Sequence, residues 1–457
     1  MLKEIWSCLG QPNELLSHVT TVGVGELPSV YGVTDLAVAS IGAATLSMAH
    51  LIAQRQDALP DVQIDRVQAS RWFSRSIAPI GWELPPTWDA VAGDYETSDG
   101  WIKLHTNAPH HRDAALRALG LSVTDPDLSR QHVAQVIRSV KASELEYEII
   151  LQGGCAAEMR SVDAWGAHPQ GKSVQAEPLL AVHDYDAGST CAKWSLHPDR
   201  PLRGIRVLDL TRILAGPVAT RYLASYGADV LRIDPIDWDE PVVAPEVTLG
   251  KRRARLDLRS ASGKQTFEAL LRDADVLVHG YRSDALEKLG LGEQRRHALN
   301  PGLVDVSLDA YGWTGPWQAR RGFDSLVQMS SGIAEAGMRI LGKSVPTPLP
   351  VQALDHATGY MLAASVLRGL VRRVTHGGGC SVRASLARTA AMLNQLSPAH
   401  AREVVQLPNE LMSDYATDFE QTHWGAARRL LPAYLIKNTR AYWDLPAGML
   451  GDGVAAW

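Results

Sequence analysis

The sequence has few cysteines and no metal-ligand pattern. Its 457 residues include four cysteines, which lack metal-site spacing and are too few for a disulfide framework. This usage fits a reducing cytosol and predicts a cytoplasmic protein. No histidine pair joins a carboxylate or a cysteine at ligand spacing, so we assign no metal. The cysteines are Cys8, Cys155, Cys191 and Cys380, and the histidines considered are His110, His111, His356 and His376.

The chain also lacks a large excess of charge of either sign. Its formal net charge of −5 gives no reason to expect a nucleic-acid partner. The hydrophobic fraction of 46% is ample for sizeable cores, and the length suggests two to three domains.

Long apolar runs are scarce, and one segment has to be weighed as a membrane span. Leu36–Ala53 contains no Asp, Glu, Lys or Arg, but serine, threonine, glycine and histidine dilute it. We therefore predict a buried core helix and no membrane partner. No basic segment precedes it at the chain start, so we expect no secretory signal.

The most informative segment that is present is Pro201–Thr220, with the sequence PLRGIRVLDLTRILAGPVAT. Ile205–Leu210 is a short apolar run, typical of a parallel strand that is buried on both faces. Gly216 would let the backbone approach a ligand closely, and Pro217 presets φ for a helix start. Apolar residues at helical spacing follow, and Asp229–Asp234 reads as the next strand. The segment therefore predicts a βαβ unit with a ligand-binding turn.

Further strands and helices extend this unit. We predict strands at Asp275–His279 and Leu303–Leu308, with helices at Ser262–Asp273 and Asp284–Leu289. The alternation predicts an α/β fold with a doubly wound, Rossmann-like parallel sheet, whose ligands lie beyond the carboxyl ends of the strands. A dinucleotide is not expected, because G-x-G-x-x-G is absent and the turn has one glycine, Gly216, followed by proline.

These residues resemble the opening of the family III coenzyme A transferases, the group that contains formyl-CoA transferase and carnitine CoA-transferase. The matching letters are LDLTRILAGPVATRYLASYGADVLRID, and the likeness continues in order through later motifs. The resemblance implies transfer of coenzyme A from an acyl-CoA to a carboxylic acid, with these small molecules as partners and no permanently bound cofactor. The later motifs are Gly250-Lys251-Arg252 with Leu256-Asp257-Leu258, Ala274–Gly290, Asn300-Pro301, Gly312–Pro316 and Arg321–Asp324.

The same resemblance makes Asp355 the candidate nucleophile. Family members carry a catalytic aspartate that opens a helix, and Leu354–Gly359 (LDHATG) falls at that place. A helix N-terminus would keep the carboxylate ionised, although position alone favours an ordinary N-cap. The resemblance implies attack on the acyl-CoA carbonyl to form a mixed anhydride, and then an aspartyl-CoA thioester. Backbone N–H groups near Gly332 or at the helix start would stabilise the oxyanions.

The resemblance also implies a set of coenzyme A contacts. The basic side chains suit anionic phosphates, although from the residues alone each could equally be a solvated surface group. Asp324 could orient the surroundings of the nucleophile, or it could pair with Arg320 or Arg321. The candidate contacts are Arg212, Leu214, Ala215, Gly216, Lys251, Arg252, Tyr281, Arg282, Lys288 and Arg321.

The chain departs from the family pattern at three places. Leu214 stands where several members have an acyl-contacting glutamine, and His279–Tyr281 replaces Glu-Asn-Phe. Gly322–Asp324 lacks the Gly-His pairing of the family's racemases, which disfavours racemisation. A non-catalytic coenzyme A-binding relative or partner subunit, and a CoA-ester isomerase or intramolecular transferase, stay open as alternatives. The identities of the donor and acceptor acids also stay open.

The residues before 190 resemble the later portion of the same family. Asp94–Ile102 and the helical pattern at Arg112–Gly120 resemble the small domain's Y-x-T-x-D-G-W-I strand and its partner helix. Thr34–Ala53 resembles Leu354–Val371, so that Asp35 stands opposite Asp355 at an offset of 320 positions, and VQAS at 67–70 pairs with VRAS at 382–385 at an offset of 315. Two partial copies in a rearranged order are the simplest explanation.

We therefore predict four segments. Residues 1–80 are a partial second copy of the catalytic-aspartate helix region, and 81–190 form a smaller α+β domain. Residues 191–400 form the Rossmann-like CoA-binding and catalytic domain, which a tail at 401–457 completes. Asp35 is then either a second nucleophile or, because no LDL…AGP block stands before it, a relic. Formyl-CoA transferase relatives form interlocked dimers, so a homodimer is the expected assembly.

Overall fold

The computed structural model describes residues 1–56, 58–125, 128–185, 195–197, 199–396 and 404–457, and Cys191 lies outside these ranges. The strands are β1 (Val19–Val22), β2 (Val62–Asp65), β3 (Ile77–Pro79), β4 (Gly93–Glu96), β5 (Trp101–Leu104), β6 (Ala156–Glu158), β7 (Ala181–Asp184), β8 (Arg206–Leu210), β9 (Asp229–Asp234), β10 (Lys251–Arg255), β11 (Val276–His279), β12 (Val304–Asp309), β13 (Cys380–Ser385), β14 (Glu420–Thr422), β15 (Gly425–Arg429) and β16 (Tyr434–Ile436). The α-helices are α1 (Leu2–Cys8), α2 (Val33–Ala53), α3 (Arg66–Trp72), α4 (Pro109–Ala118), α5 (Arg130–Ile137), α6 (Ala142–Leu151), α7 (Val162–Ala167), α8 (Pro169–Ala176), α9 (Ala215–Ser225), α10 (Ala244–Val247), α11 (Ala261–Arg272), α12 (Ala285–Lys288), α13 (Glu293–Leu299), α14 (Asp324–Ser330), α15 (Ile333–Ile340), α16 (Ala353–Thr375) and α17 (Leu386–Gln395).

The largest sheet has seven strands in the order β10-β9-β8-β11-β12-β13-β7. Neighbouring strands are parallel throughout, except that β7 runs antiparallel to β13. Alternate residues of β8 enter different cores: Val207 packs in the core that contains α9 and α16, and Leu208 packs in the core that contains α11. Burial on both faces explains why β8 and β11 carry apolar residues at successive positions. The predicted doubly wound parallel sheet is confirmed.

The small domain is built on the antiparallel sheet β4-β5-β6, packed against α4, α5 and α6. Its core ends at Ala156, and the next elements return to the large sheet. Strand β7 pairs with β13, while Trp165 and Val174 from α7 and α8 are buried in the large core. The predicted boundary at residue 190 is therefore wrong, because the segment after about residue 160 packs against the large sheet.

The first 80 residues and the last 50 fold together. Strand β1 lies parallel to β2, and β16 from the tail lies antiparallel to β2. Strand β15 pairs with β3 in the same way. The end of the tail also covers the β10 edge of the large sheet, where the Gly453 N–H donates to the Arg253 carbonyl at 2.8 Å. The tail thus joins the N-terminal segment to the large sheet.

Helices α2 and α16 start with the same backbone geometry. The N-cap residues Gly32 and Gln352 have φ/ψ of −74°/63° and −76°/64°. The Leu36 N–H donates to the Gly32 carbonyl at 2.9 Å, and 320 positions later the His356 N–H donates to the Gln352 carbonyl at 3.1 Å. The two helices also pack directly against each other. The offset of 320 thus links residues in equivalent local structure.

The proposed offset of 315 is wrong. VQAS at 67–70 lies inside helix α3, whereas VRAS at 382–385 is strand β13. The structural match to Val382–Ser385 is β2, Val62–Asp65, which restores the offset of 320. Asp65 and Ser385 then occupy matching places, since each side chain caps the helix that follows its strand.

Helix α2 is the one helix, in the part of the chain that the structure describes, with the length and apolar composition of a membrane span. In the fold, 83% of its most apolar window is buried. Its packing against α16 accounts for that composition, as predicted for a core helix.

Candidate active site

The turn between β8 and α9 has a strained backbone. Ile213 has φ of 64°, which is rare for a β-branched residue. The Ile213 N–H donates to Glu240 Oε2 at 2.9 Å, and Arg232 in turn holds Glu240 through a buried hydrogen bond. The turn is thereby fixed from β9 and from the loop after it. Leu214 follows as the N-cap of α9, without a side-chain cap of its own.

Gly216 allows close packing inside the protein. It is buried within the first turn of α9, where a Cβ would lie 2.2 Å from Thr211 Cγ2. The glycine therefore lets the helix lie close to the end of its own strand. The approach of the Gly216 backbone to a ligand stays a prediction. Ala215, the first helical residue, is also buried.

Asp355 occupies the first turn of α16, and its residue is only 7% exposed. Its backbone N–H donates to Asp324 Oδ2 at 2.8 Å. Gln328 donates from its amide nitrogen to the other carboxylate oxygen of Asp324, and Gln328 Oε1 accepts from the Leu349 N–H at 2.7 Å. Among the described residues, nothing hydrogen-bonds to the Asp355 carboxylate itself. The site therefore fixes the backbone of Asp355 and leaves its side chain free.

The electrostatics of Asp355 are opposite to the expectation from its place in the helix. Burial, followed by the neighbouring Asp324 carboxylate, raises the pKa of Asp355 well above its ordinary value. Burial also raises the pKa of Asp324 to about 6. Asp355 is not the N-cap, which is Gln352, and Asp324 occupies its backbone N–H. Both the expected dipole stabilisation and the ordinary-cap interpretation are therefore wrong.

Helix α16 meets the strand-to-helix turn at Gly359. A Cβ on Gly359 would lie 2.3 Å from the Ala215 carbonyl oxygen and 2.8 Å from Val218 Cβ. Residues four positions apart share a helix face, so Asp355 lies on the face of α16 that meets this turn. The structure thus brings together the turn after β8 and the candidate nucleophile.

Arg212 stands at the carboxyl end of β8 between two aromatic rings. Its guanidinium carbon lies 4.7 Å from the Trp238 ring centroid and 5.5 Å from the Tyr281 centroid. Trp238 was not predicted from the sequence, since no motif singled it out. Arg282 and Arg321 donate to the carbonyls of Ala319 at 3.5 Å and Gly153 at 3.2 Å.

Arg212, Arg282 and Arg321, which we call the crevice arginines, share one property. Within the described residues, none of these three guanidinium groups has a carboxylate partner within 4 Å. They can therefore meet an anion without breaking an ion pair.

Three other basic candidates are already committed elsewhere. Lys251 is fully buried, and its Nζ lies 2.9 Å from Asp209 Oδ2 and donates to the Pro217 carbonyl at 3.1 Å. Arg252 pairs with Asp229 at 2.9 Å, at the amino ends of β10 and β9 and away from the ligand-binding edge. Lys288 pairs with Asp284 on the exposed helix α12. The structure does not group these three side chains with the crevice arginines.

The Lys251–Asp209 pair ties the turn to the sheet. Burial opposes ionisation of Asp209, but Lys251, Arg232 and the hydroxyls of Thr211 and Thr220 outweigh it and lower its pKa. Burial lowers the pKa of Lys251 to about 8, while Asp209 acts in the other direction. Asp209 accepts from both hydroxyls, at the end of β8 and inside α9, so the pair has a structural role.

The small domain meets the site through Phe323, the residue before Asp324. The ring of His105 stacks on Phe323 with centroids 3.8 Å apart, and His111 Nε2 lies 3.6 Å from Cys155 Sγ. Burial lowers the pKa of His105 and of His111 to about 3, so both rings are neutral. No motif predicted this contact, which joins the small domain to the large one.

Asp324 does not pair with either neighbouring arginine. Arg320 lies 2.9 Å from Glu146 of the small domain, and Asp324 instead accepts the Asp355 N–H. Gly332 lies beyond the far end of α14, where a Cβ would lie 2.3 Å from the Val162 nitrogen. This packing explains Gly332 and separates it from Asp324 by the length of α14.

One protein-family model spans the elements that form this site. The family model described as CoA-transferase family III matches residues 202–422. Residues 202–422, just under half of the chain, are thus similar to CoA-transferase family III. The region begins just before β8 and ends in β14, so it includes the strained turn, the aspartate pair and the crevice arginines.

Curated relatives carry related names. An acetyl-coenzyme A transferase, nodX, of Hypoxylon pulicicidum is 29% identical over 65% of this chain and 53% of its own length. A probable fatty acyl-CoA transferase of Mycobacterium tuberculosis, Rv3272, is 34% identical over 44% of this chain and 54% of its own length. The succinyl-CoA:glutarate CoA-transferase of Mus musculus is 29% identical over 54% and 57%. The chain thus spans about half the length of these relatives.

Solved structures give similar coverage. The crystal structure of Rv3272 covers 44% of this chain and 59% of its own chain, at 34% identity and a TM-score of 0.40. A CaiB/BaiF family protein from Brucella suis covers 50% and 65%, at 24% identity and a TM-score of 0.39.

Proposed function

We propose that this protein is a coenzyme A transferase that moves coenzyme A from an acyl-CoA thioester to a carboxylic acid, with Asp355 as nucleophile. One observation carries the proposal. Asp355 presents a nearly buried carboxylate without a hydrogen-bond partner among the described residues, while Asp324 fixes its backbone at 2.8 Å. A carboxylate held in this way has a defined position and an unused lone pair, as covalent catalysis requires.

The raised pKa of Asp355 suits this role. A more basic carboxylate is a better nucleophile once it is ionised, and burial removes the water that would otherwise compete for its lone pairs. Asp324 acts as a positioning residue, because it touches Asp355 and has its own contacts within α14. Its charge is also one source of the raised pKa.

The proposed reaction has balanced steps. The Asp355 carboxylate attacks the thioester carbonyl, the C–S bond breaks, and a mixed anhydride and a CoA thiolate result. The thiolate attacks the aspartyl carbonyl of the anhydride, which releases the donor acid as a carboxylate and leaves an aspartyl-CoA thioester. The acceptor carboxylate then attacks this thioester and repeats the two steps in reverse. No proton, oxidant or reductant is consumed.

The crevice arginines supply the charge for the coenzyme. Coenzyme A carries a 3′-phosphate and a pyrophosphate, and Arg212, Arg282 and Arg321 lack carboxylate partners within the described residues. Arginine suits phosphate because its planar donors can bind two oxygens at once. We further propose a cytoplasmic homodimer, as the sequence analysis predicted. The relatives' names mention acetyl, fatty acyl and succinyl groups, so the experiment must use several thioesters.

The test is intact-protein mass spectrometry after incubation with acetyl-CoA, succinyl-CoA and long-chain acyl-CoA. One sample stays untreated, and parallel samples receive hydroxylamine or borohydride, which release coenzyme A and leave a hydroxamate or an alcohol where the aspartyl thioester stood. We expect a coenzyme A adduct on the wild-type chain and on Asp35→Asn, and no adduct on Asp355→Asn. Peptide mapping should place the modification on Leu354–Gly359.

Two outcomes would contradict the proposal. An adduct that persists in Asp355→Asn and disappears in Asp35→Asn would assign the chemistry to the other helix. Coenzyme A binding by calorimetry, with no adduct and no turnover for any thioester, would favour the non-catalytic relative or partner subunit. If one acid carrying two carboxyls exchanges coenzyme A internally, the reaction is the intramolecular alternative.

A further inference from the structure

The small domain meets the crevice arginines through helix α4. Arg321 Nη1 donates to the Gly153 carbonyl at 3.2 Å, in the loop between α6 and β6. Two residues later in this loop, Cys155 Sγ lies 3.6 Å from Nε2 of His111, which belongs to the first turn of α4. Arg321 is therefore anchored on the loop that packs against the start of α4.

His110, the residue before His111, presents an unused imidazole at this contact. The two ring centroids lie 4.1 Å apart, but His111 is buried and His110 is exposed. Among the described residues, the His110 ring has no hydrogen-bond or ion-pair partner. It can therefore bind a ligand that enters between the two domains.

The charges that act on His110 show which parts of the large domain lie near it. Burial, followed by Arg321 and Arg212, lowers the pKa of His110. Asp113 on α4 and Asp237 in the loop after β9 act in the other direction, with smaller effects. Interactions between solvent-exposed charges are largely screened beyond about 10 Å at 0.1 M salt. Arg321 and Arg212 therefore lie near the His110 ring.

Arg282 belongs to the same group of charges. Burial raises the pKa of Cys155 to about 12, whereas Arg321, Arg320 and Arg282 act in the other direction. Arg320 is already paired with Glu146 at 2.9 Å. The three crevice arginines outnumber the two carboxylates that act on His110, so the region between the domains favours an anion.

We propose that His110 binds a phosphate group of coenzyme A, so that the small domain and the crevice arginines hold the coenzyme between them. The inference rests on the proposed function for the identity of the ligand, but it does not require reaction at Asp355. The negative charge of the phosphate favours the imidazolium form of His110, which takes a proton from the solvent. The imidazolium then donates a charge-assisted hydrogen bond to a phosphate oxygen.

The experiment is isothermal titration calorimetry of the full chain with coenzyme A and with 3′-dephospho-coenzyme A. We expect His110→Ala to weaken binding of coenzyme A about tenfold, because a hydrogen bond to a charged group is lost. A loss for coenzyme A alone assigns His110 to the 3′-phosphate, and an equal loss for both ligands assigns it to the pyrophosphate. The matched control is His132→Ala, on α5 of the same domain, which should bind both ligands as the wild type does.

A second readout separates phosphate binding from a merely structural role. Titrations at pH 7 in two buffers of different ionisation enthalpy count the protons that binding takes up. The wild-type chain should take up more protons than His110→Ala, because its imidazole is neutral before the phosphate arrives and charged afterwards. His110→Lys keeps a cation at this position, so it should bind coenzyme A within about threefold of the wild type and lack the extra proton uptake.

Several results would overturn the inference. They are an unchanged affinity for coenzyme A in His110→Ala, an equal loss in His132→Ala, and a loss that His110→Lys does not restore. The adduct experiment on Asp355 tests the proposed function separately. An adduct together with unchanged affinity in His110→Ala would overturn only the role of His110, whereas weakened affinity with no adduct would support that role and contradict the transfer reaction.

Discussion

Asp35 and Asp355 stand at the same place in two helices that start alike, but their surroundings are opposite. The Asp355 side chain has no hydrogen-bond partner among the described residues, and burial, followed by a second carboxylate, raises its pKa. The Asp35 carboxylate lies 2.6 Å from Arg66, which Glu26 also holds. One carboxylate has no hydrogen-bond partner among the described residues, and the other is occupied by an ion pair.

The difference comes from what surrounds each helix. The connection from β12 to α16 contains α14, which supplies Asp324 and Gln328, whereas a short loop joins β1 to α2. Helix α9 packs on α16 at Gly359, whereas Ala39, 320 positions earlier on α2, lines a cavity of about 510 Å³. An aspartate at the start of a helix therefore does not determine its own ionisation and hydrogen bonding, which depend on the neighbouring elements.

The largest expected difference between Asp355 and Asp35 is the effect of their substitution on kcat. Asp355→Asn should lower kcat by at least about 10³-fold, because it removes the attacking group. Asp35→Asn should leave kcat within about twofold, because it loses only a partly exposed ion pair. Steady-state assays with the thioester found by mass spectrometry measure both.

The melting temperature of Asp355→Asn is the control for folding. The native state raises the pKa of Asp355, so ionisation of this carboxyl costs stability as the pH rises above the unfolded value. The asparagine removes that cost, and the variant should melt at the same temperature or higher at pH 7. A lower melting temperature together with lost activity would point to misfolding.

Strands β8 and β10 belong to the part of the large sheet that has no counterpart beside Asp35. A buried ion pair, Lys251–Asp209, links them. Lys251→Met leaves Asp209 buried without its cation and should cost about 3–5 kcal/mol of unfolding free energy. Arg252→Met removes a half-exposed pair at the amino edge and should cost no more than about 1 kcal/mol. Urea unfolding compares the two. Equal losses would show that Lys251 does not hold the turn.

Asp324→Asn tests whether the second carboxylate sets the properties of the first. The asparagine oxygen can still accept the Asp355 N–H, so the loss in kcat should be about tenfold or less. The negative charge disappears, which lowers the pKa of Asp355, and activity requires ionised Asp355. The acid limb of the kcat/KM profile should therefore move to lower pH. An unchanged profile would reduce Asp324 to a purely structural residue.

The smallest expected effect concerns the ion pair of Asp35 on helix α2. Arg66→Met frees Asp35 from its ion pair and should cost about 1 kcal/mol or less, because the carboxylates are partly exposed. Transfer activity should not change, and differential scanning calorimetry with an activity assay checks both. A coenzyme A adduct that appeared on Asp35 in this variant would show that Arg66 alone suppresses its reactivity.

The sequence predicted the central sheet well. Short apolar runs bounded by turn residues placed β8, β9, β11 and β12 within a residue of their ends, because strands buried on both faces must be continuously apolar. Gly227 and Gly377, with φ of 96° and 75°, follow α9 and α16 and adopt the left-handed backbone that commonly ends a helix. The end of the small domain was missed, because β7 and Trp165 reveal their partners only in the fold.

The site was harder to predict than the sheet. Motif order indicated Asp355, Asp324 and Arg212, and the structure brings these to one region. Motif order could not distinguish Lys251 from the crevice arginines, because all four side chains are cationic. Only the structure shows that Lys251 is buried against Asp209. Trp238 and His105 were missed for a related reason: each takes part only through a ring contact with a residue distant in the chain.

The pairing of β2 with β16 and of β3 with β15 has a consequence for folding during synthesis. These strands join residues near 63 and 78 to residues near 435 and 428. The N-terminal unit cannot complete its sheets until residues 425–436 have been synthesised, and such distant contacts slow folding. The apolar helix α2 also packs against α16, which lies 320 positions later, so its apolar surface stays uncovered through most of the synthesis of the large sheet.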